Sequence, residues 1–260
     1  MAKTGKSQRQ DLILAELRIN RSIRVSELAE KFGTSTETIR RDLDEMKAAE
    51  LLNRTHGGAT FLPMGHEPSV TERETMFLAE RKAIAAKVAT MLGRDDVVMM
   101  DTGTTTIEIA RAISARPKRL TVITNSFTIA TILGASSEVR VIVPPGEFSA
   151  ADAEVNGVET NEFVRRFNAN VCITGASGVT AEGPADANRA AAHLKRSMIS
   201  RAHRTILAAD HSKFDKYALE TVCPWDSIES VVTDRTPMPP LADLLERHEV
   251  EVVVAGEPGA

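Results

Sequence analysis

Thr34-Ser35-Thr36-Glu37-Thr38-Ile39-Arg40-Arg41-Asp42-Leu43-Asp44-Glu45-Met46-Lys47 carries more information than any other stretch of the 260-residue chain. Wound at about 100° per residue, it places Ile39, Leu43 and Met46 on one apolar stripe. Ser35 suits the N-cap, where its hydroxyl can accept from orphan backbone N–H groups. Arg41 points away from the stripe, with Glu37 and Thr38 flanking it and Arg40 at its side. Hydroxyls, a carboxylate and two guanidiniums thus crowd the exposed N-terminal half. Base edges in the major groove and phosphates use such groups. A solvated surface helix would explain this segment taken alone; its neighbours argue for more.

Upstream, Gln8 to Asn20 repeats apolar residues at Ile13, Leu14 and Leu17 without Gly or Pro, as an amphipathic helix does. Val25 to Phe32 reads as a short helix capped by Ser26, with Leu28, Ala29 and Phe32 inward. Gly33 then supplies the positive φ that a tight turn between crossing helices needs. Short helix, glycine turn and polar-faced second helix make a helix-turn-helix. Leu51 to His56 and Ala59 to Leu62 read as two strands joined at Gly57-Gly58, a wing. The reading surface is assigned to Ser35, Thr36, Thr38, Arg40 and Arg41. Arg54 and His56 on the wing are placed to touch phosphate or minor groove, and equally fit a surface charge and a turn residue.

Residues 1–60 hold 11 Lys/Arg and 9 Asp/Glu, leaving 21 and 27 for the remainder. A mildly basic head on an acidic body of overall charge −4 fits a small, oriented DNA contact and excludes a polycation that coats nucleic acid. Cys172 in an apolar run and Cys223 before a proline have neither metal-ligand nor disulfide-framework spacing. No His/Cys/Asp cluster has metal spacing, and His193 and His203 read as surface or cap residues, so neither metal nor cofactor is expected. The opening Met-Ala-Lys-Thr-Gly-Lys lacks an apolar core segment, and no apolar run approaches the roughly 20 residues of a membrane span. A cytoplasmic protein without membrane contact is expected.

Pro63, Gly65 and Pro68 mark residues 61–73 as a linker. From Glu74 to the end, helices alternate with apolar runs, the first helix spanning Glu74 to Leu92. The runs are Val97–Asp101, Leu120–Thr124, Val139–Val143, Val171–Thr174, Thr205–Ala209, Ser230–Thr233 and Glu251–Val254. Near-continuous apolar strands between helices predict an α/β fold with a parallel sheet covered on both faces. Ligands of such sheets bind outside the carboxyl ends of the strands. Those ends offer Asp101-Thr-Gly-Thr-Thr-Thr106, Asn125-Ser126, Pro144-Pro-Gly146, Gly175-Ala-Ser-Gly178 and Asp210-His-Ser-Lys213. Gly103, Thr104 and Thr105 open a helix able to hold a phosphate, and Lys213 adds a charge. Asp101 and Asp210 suit sugar hydroxyls; Asn125, Ser126, Gly146, Gly175 and Ser177 complete the candidate rim.

Two groups of motifs together resemble the DeoR-type bacterial repressors across nearly the whole chain. In the head these are Leu28-Ala-Glu-Lys-Phe-Gly33, Thr38-Ile-Arg-Arg-Asp-Leu43, Leu51-Leu52 and Arg54-Thr-His-Gly-Gly-Ala59. In the body they are Asp101-Thr-Gly-Thr-Thr105, Thr124-Asn-Ser126, Gly175-Ala-Ser-Gly178, Lys195-Arg-Ser-Met198 and Ala209-Asp-His-Ser-Lys-Phe214. The resemblance implies a winged helix-turn-helix that binds operator duplex DNA, and a sensor domain similar in fold to ribose-5-phosphate isomerase. It further implies a phosphorylated sugar or related metabolite as the effector that releases a repressor. Pro145 departs from the family's usual glycine pair. Lys195 matches a family lysine, although a mid-helix lysine reads first as solvated.

One winged head recognises too little DNA for a rare site, so a homodimer or higher homo-oligomer is expected. The rival reading is an isomerase-like enzyme with an attached nucleic-acid-binding domain, in which Asp101, Asp210 and His211 would move protons. A DNA-binding head is an odd attachment for such an enzyme, and a non-enzymatic regulator is expected. A dinucleotide site is excluded because no G-x-G-x-x-G follows the first strand.

Overall fold

The computed structural model describes residues 6–20, 22–48, 52–61, 73 and 75–256, which divide into two units, Met1–His66 and Glu67–Ala260. The expected linker residues 62–72, the start of the expected helix at Glu74 and the last four residues lie outside those described.

In the first unit, α1 (Lys6–Asn20) buries Ile13 and Leu17 completely. Strand β1 (Ser22–Arg24) follows, then α2 (Val25–Lys31). Ser26 does not cap α2. The N-cap is Arg24, whose backbone N–H donates to Glu27 Oε2 at 3.2 Å. The chain turns at Phe32 and Gly33, and Gly33 has the expected positive φ of 59°. Helix α3 (Thr36–Ala48) buries Ile39, Leu43 and Met46 to 1% exposure or less, against Leu28 and Ala29 of α2 and Ile13 and Leu17 of α1.

Strands β2 (Leu52–Thr55) and β3 (Gly58–Phe61) form the wing, and β1 pairs with the far edge of β3, giving the order β1-β3-β2. The hairpin turn is His56-Gly57, one residue earlier than expected. Gly58 lies within β3, facing Thr55 on one side and Arg24 on the other. A Cβ there would sit 2.0 Å from the Ile23 carbonyl oxygen. The Gly-Gly pair therefore serves close strand packing as well as a turn.

The second unit begins with α4 (Leu78–Met91), shorter than expected because Phe77 takes up a left-handed conformation and breaks the helix at its start. In chain order come β4 (Val97–Met100), α5 (Thr104–Ala115), β5 (Leu120–Thr124), α6 (Phe127–Gly134) and β6 (Val139–Ile142). A hairpin, β7 (Glu147–Ser149) and β8 (Glu154–Asn156), leads to α7 (Val158–Val164) and β9 (Ala169–Thr174). Short strands β10 (Gly178–Thr180) and β11 (Gly183–Asp186) precede α8 (Arg189–Ile199) and β12 (Ala202–Ala208). The remaining elements are β13 (Glu220–Thr221), β14 (Ser230–Thr233), α9 (Leu241–Arg247) and β15 (Glu251–Val254).

Seven of these strands make one wholly parallel sheet in the order β15-β14-β12-β9-β4-β5-β6. Side chains alternate between its faces. Val98 and Met100 join Ile84, Val88, Ile109 and Leu133 of α4, α5 and α6 in one core. Met99 and Cys172 join Leu194, Met198 and Leu245 of α8 and α9 in the other. Burial pushes the Cys172 thiol well above its usual range and the Cys223 thiol up to about 11. Both sulfurs are packing groups, as nucleophiles need an accessible thiolate. No helix among the described residues is long and apolar enough to cross a membrane.

Candidate functional site: a winged-helix surface and a sheet rim

Two separate surfaces collect the polar residues that packing leaves over. On α3, Ser35 Oγ accepts from the Thr38 N–H at 3.1 Å, making the expected N-cap, and lies 2.9 Å from Thr38 Oγ1. Thr36, Arg40 and Arg41 are exposed, and Arg41 makes a long 3.4 Å contact to Glu37. Arg54 has a different setting. Its Nε donates to Asp44 Oδ1 at 2.9 Å and its Nη1 to the Gly58 carbonyl at 2.8 Å, tying the wing to α3. His56 is exposed in the hairpin turn.

A further tie lies behind the helix, where Arg9 of α1 donates to both oxygens of buried Asp42 at 2.5 and 3.1 Å. The geometry leaves Thr36, Arg40 and Arg41 presented on a helix clamped from both sides, and this arrangement suits insertion into a groove.

The rim of the sheet gathers the second set. Strands β12, β9, β4, β5 and β6 are consecutive neighbours, and they deliver Asp210–Lys213, Gly175–Ser177, Asp101–Thr105, Asn125–Ser126 and Gly146 in that order. The chain runs outward from β4 through β5 to β6, then returns to β9 on the other side of β4. The crevice of an open parallel sheet falls at such a reversal, here between Asp101 and Gly175.

At that point lies a residue whose importance the sequence obscured. Lys195, expected at a solvated mid-helix position, is 4% exposed. Its ammonium sits 3.0 Å from Asp101 Oδ2, 2.6 Å from Asp186 Oδ2 and 2.9 Å from the Gly175 carbonyl oxygen. Burial works against its charge, but the two carboxylates outweigh that cost and hold its pKa above the ordinary value. Burial pushes the Asp101 carboxyl up, while Lys195 and the Thr174 hydroxyl pull back. Asp101 also accepts from Thr174 Oγ1 at 2.9 Å and from the Gly175 N–H at 3.3 Å. The carboxylate expected to meet a ligand thus first organises two adjoining strand ends.

On the other side of β4, Asn125 donates to Glu154 Oε2 and to the Val155 carbonyl, each at 3.2 Å. Glu154 and Asn156, both on β8, were not singled out from sequence; short polar strands give no periodic signal. Burial pushes the Glu154 carboxyl up, against hydrogen bonds from Thr102 and Asn156. Ser126 caps α6 by accepting from the Ile129 N–H at 3.3 Å. Ser177 Oγ accepts from the Ala187 N–H at 3.2 Å. Asp210 caps the one-turn helix His211–Lys213 through the Ser212 N–H and hydroxyl, at 3.0 and 2.5 Å, and Lys213 is buried within that turn.

Gly103 is the N-cap of α5 and has no side chain with which to cap its first turn. A Cβ at Gly103 would meet nothing closer than Thr106 Oγ1 at 3.4 Å, so protein packing does not demand glycine there. Gly146 differs: its φ is 155°, and a Cβ would fall 2.1 Å from Thr160 Oγ1. Thr160 Oγ1 donates to the Pro145 carbonyl at 2.8 Å, so the loop containing Pro145 is held by α7. A cleft of about 450 Å³ between α7 and α8, lined by Asn161, Arg165, Arg189 and His193, contains none of the rim residues.

A winged helix-turn-helix joined to a parallel-sheet domain with a polar rim defines a DNA-binding regulator with a sensor module. The DeoR-like helix-turn-helix domain matches residues 9–63, and the DeoR C terminal sensor domain matches residues 77–235. The chain belongs to the DeoR family. Transcriptional repressor AccR of Agrobacterium fabrum is 31% identical over 98% of this chain and 100% of its own. The glycerol-3-phosphate regulon repressor of Escherichia coli is 28% identical over 95% of this chain and 98% of its own. The L-fucose operon activator of Haemophilus influenzae is 30% identical over 95% and 99%. These relatives are transcription regulators and not enzymes. Ribose 5 phosphate isomerase A from Neisseria gonorrhoeae overlaps 52% of each chain at 17% identity and a TM-score of 0.39, too loose a match to carry an argument.

Proposed function

We propose that this DeoR-family regulator is a repressor of carbohydrate or related metabolic genes, released from its operator when a phosphorylated sugar or related metabolite binds the sheet rim. The observation that carries this reading is the start of α5. Its first-turn N–H groups, for which the N-cap Gly103 has no side chain to offer, open beside the crevice at Asp101, and a helix N-terminus of this kind attracts a phosphate. Lys213 supplies a cation along the same rim. Asp101, Asp210, Asn125, Ser126, Gly175 and Ser177 supply the hydrogen-bonding partners that hydroxyls require. Two relatives are named for the regulon of a phosphorylated polyol and the operon of a sugar, which supports the same ligand class.

Release requires that the ligand favour the arrangement that does not hold DNA; equal affinity for both arrangements would shift nothing. Two heads on a homodimer would read paired half-sites, with Thr36, Thr38, Arg40 and Arg41 toward the bases and Arg54 and His56 nearer the backbone.

The test is a thermal-shift series on the full chain with phosphorylated sugars and their dephosphorylated counterparts. Stabilisation by a phosphorylated member, reduced by Lys213→Ala and absent with the free sugar, is the expected result. Equal stabilisation by the free sugar would overturn the phosphate seat at Gly103 to Thr105. Light scattering that finds a monomer with and without DNA would overturn the paired heads.

A further inference from the structure

The turn that leads into α4 is built around a buried arginine. The Met76 N–H donates to the Arg73 carbonyl at 3.1 Å. Arg81, 3% exposed, donates to the same carbonyl at 2.5 Å and to the Phe77 carbonyl at 3.4 Å. Phe77 itself has φ 51° and ψ 33°, a left-handed conformation that a bulky residue keeps only where its surroundings impose it.

The Phe77 ring packs on His211. The two rings meet edge to face, 5.3 Å between centroids and 87° between planes. His211 is fixed in turn by Asp234 after β14: its N–H donates to Oδ1 at 2.7 Å, and its Nδ1 lies 2.6 Å from Oδ2. The same one-turn helix carries Lys213 and is capped by Asp210. Phe77, just ahead of α4, therefore lies beside the ends of β12 and β14, next to the rim.

We propose that the Phe77–His211–Asp234 contact transmits the state of the rim to the chain segment connected to the DNA-binding unit. The inference rests on the rim being the effector site. A ligand that draws on Asp210 or Lys213 shifts the one-turn helix, and His211 moves with it. Phe77, packed on His211, then changes conformation, and with it the turn that Arg81 holds through the Arg73 and Phe77 carbonyls. Phe77 and Asp234 are positioning residues; neither needs to touch ligand or DNA. Such coupling requires that this element take two arrangements, one of them favoured by the ligand.

The experiment is a double-mutant cycle on the full chain without any ligand, using a duplex selected from a random pool by the wild-type protein. Operator affinity is read by fluorescence anisotropy for Phe77→Leu, Asp234→Asn and the pair. Each single change is expected to shift affinity by about threefold or more, and the pair by no more than the larger single effect, because both cut one connection. Hydrogen exchange should rise at residues 75–81 in Asp234→Asn, although position 234 is remote in sequence. Phe77→Tyr, which keeps the ring, should bind as wild type and guards against a variant that merely fails to fold. Unaltered affinity in both single variants, simple additivity in the pair, or loss of affinity in Phe77→Tyr would overturn the proposal. Failure of the rim as a ligand site would show instead in the thermal-shift series, which reads no DNA.

Discussion

Asp101 and Lys195 face each other at 3.0 Å with side chains only 3% and 5% exposed, joining the end of β4 to a helix 94 residues later. Lys195 also meets Asp186 at 2.6 Å. Two carboxyl groups share one ammonium in the interior, and the Thr174 hydroxyl and Gly175 N–H also donate to Asp101. The cluster fixes β4, β9, β11 and α8 relative to one another at the point where the sheet's crevice opens.

Lys195→Met should therefore lower stability by about 3–5 kcal/mol near neutral pH, since it strands buried carboxylates without their cation. The loss should shrink toward acid. Asp101 is already pushed up by burial, and without Lys195 it moves up further. A carboxyl raised in the folded state contributes stability below its unfolded pKa and loses it as pH rises through the folded value. Urea titrations at about pH 5 and pH 7.5 should show the larger deficit at the higher pH; a pH-independent deficit would contradict this account.

Arg41→Ala should weaken binding to a selected operator by about 1–3 kcal/mol and relax preference at one base position, if the guanidinium makes a bidentate base contact. Mobility shifts against point-substituted duplexes check this. Uniform weakening across all duplexes would instead assign Arg41 to phosphate, and wild-type binding would remove it from the interface.

Gly57 and Gly58 should respond in opposite ways. A Cβ at Gly57 meets nothing within 4 Å, whereas one at Gly58 strikes the Ile23 carbonyl at 2.0 Å. Gly58→Ala should cost about 1–3 kcal/mol by prising β1 from β3, while Gly57→Ala should stay within about 0.5 kcal/mol. Chemical denaturation of both variants, followed through the winged-helix unit by hydrogen exchange, decides the matter.

Gly103→Ala separates binding from folding. Its added methyl would make ordinary contact with Thr106 at 3.4 Å, so the melting temperature without ligand should hold. Stabilisation by a phosphorylated ligand should fall, because the methyl would occupy the approach to the α5 N-terminus. Undiminished stabilisation would place the phosphate elsewhere.

Elements with a sustained period were legible in the sequence. Ile39, Leu43 and Met46 define one helix face however the domain packs, and Val97–Met100 and Val171–Thr174 are short apolar runs between longer helical segments, as central strands are. What escaped was short or remote. Strand β1 has three residues and exists because Gly58 lets its backbone approach. Lys195 takes its meaning from Asp101, far away along the chain, and nothing in its own helix announces a buried cation. Glu154 reaches Asn125 through the β7–β8 hairpin, with Asn156 donating to Glu154 in turn, and α4 breaks early at Phe77, whose left-handed conformation no local pattern announces. The rim residues, by contrast, could be listed from strand ends, since a parallel sheet brings all of those ends to one side.

Thr105 and Lys213 stand on one rim yet are 108 residues apart along the chain. A metabolite gripped by both would act as a removable clasp across most of the sensor domain. Its occupancy would then resist unraveling of the whole sheet rather than of one loop, to an extent set by concentration over dissociation constant. Protein lifetime under proteolysis would become a second record of metabolite supply. The regulator would be most abundant when disengaged from its operator, and its pool would thin as the signal fades.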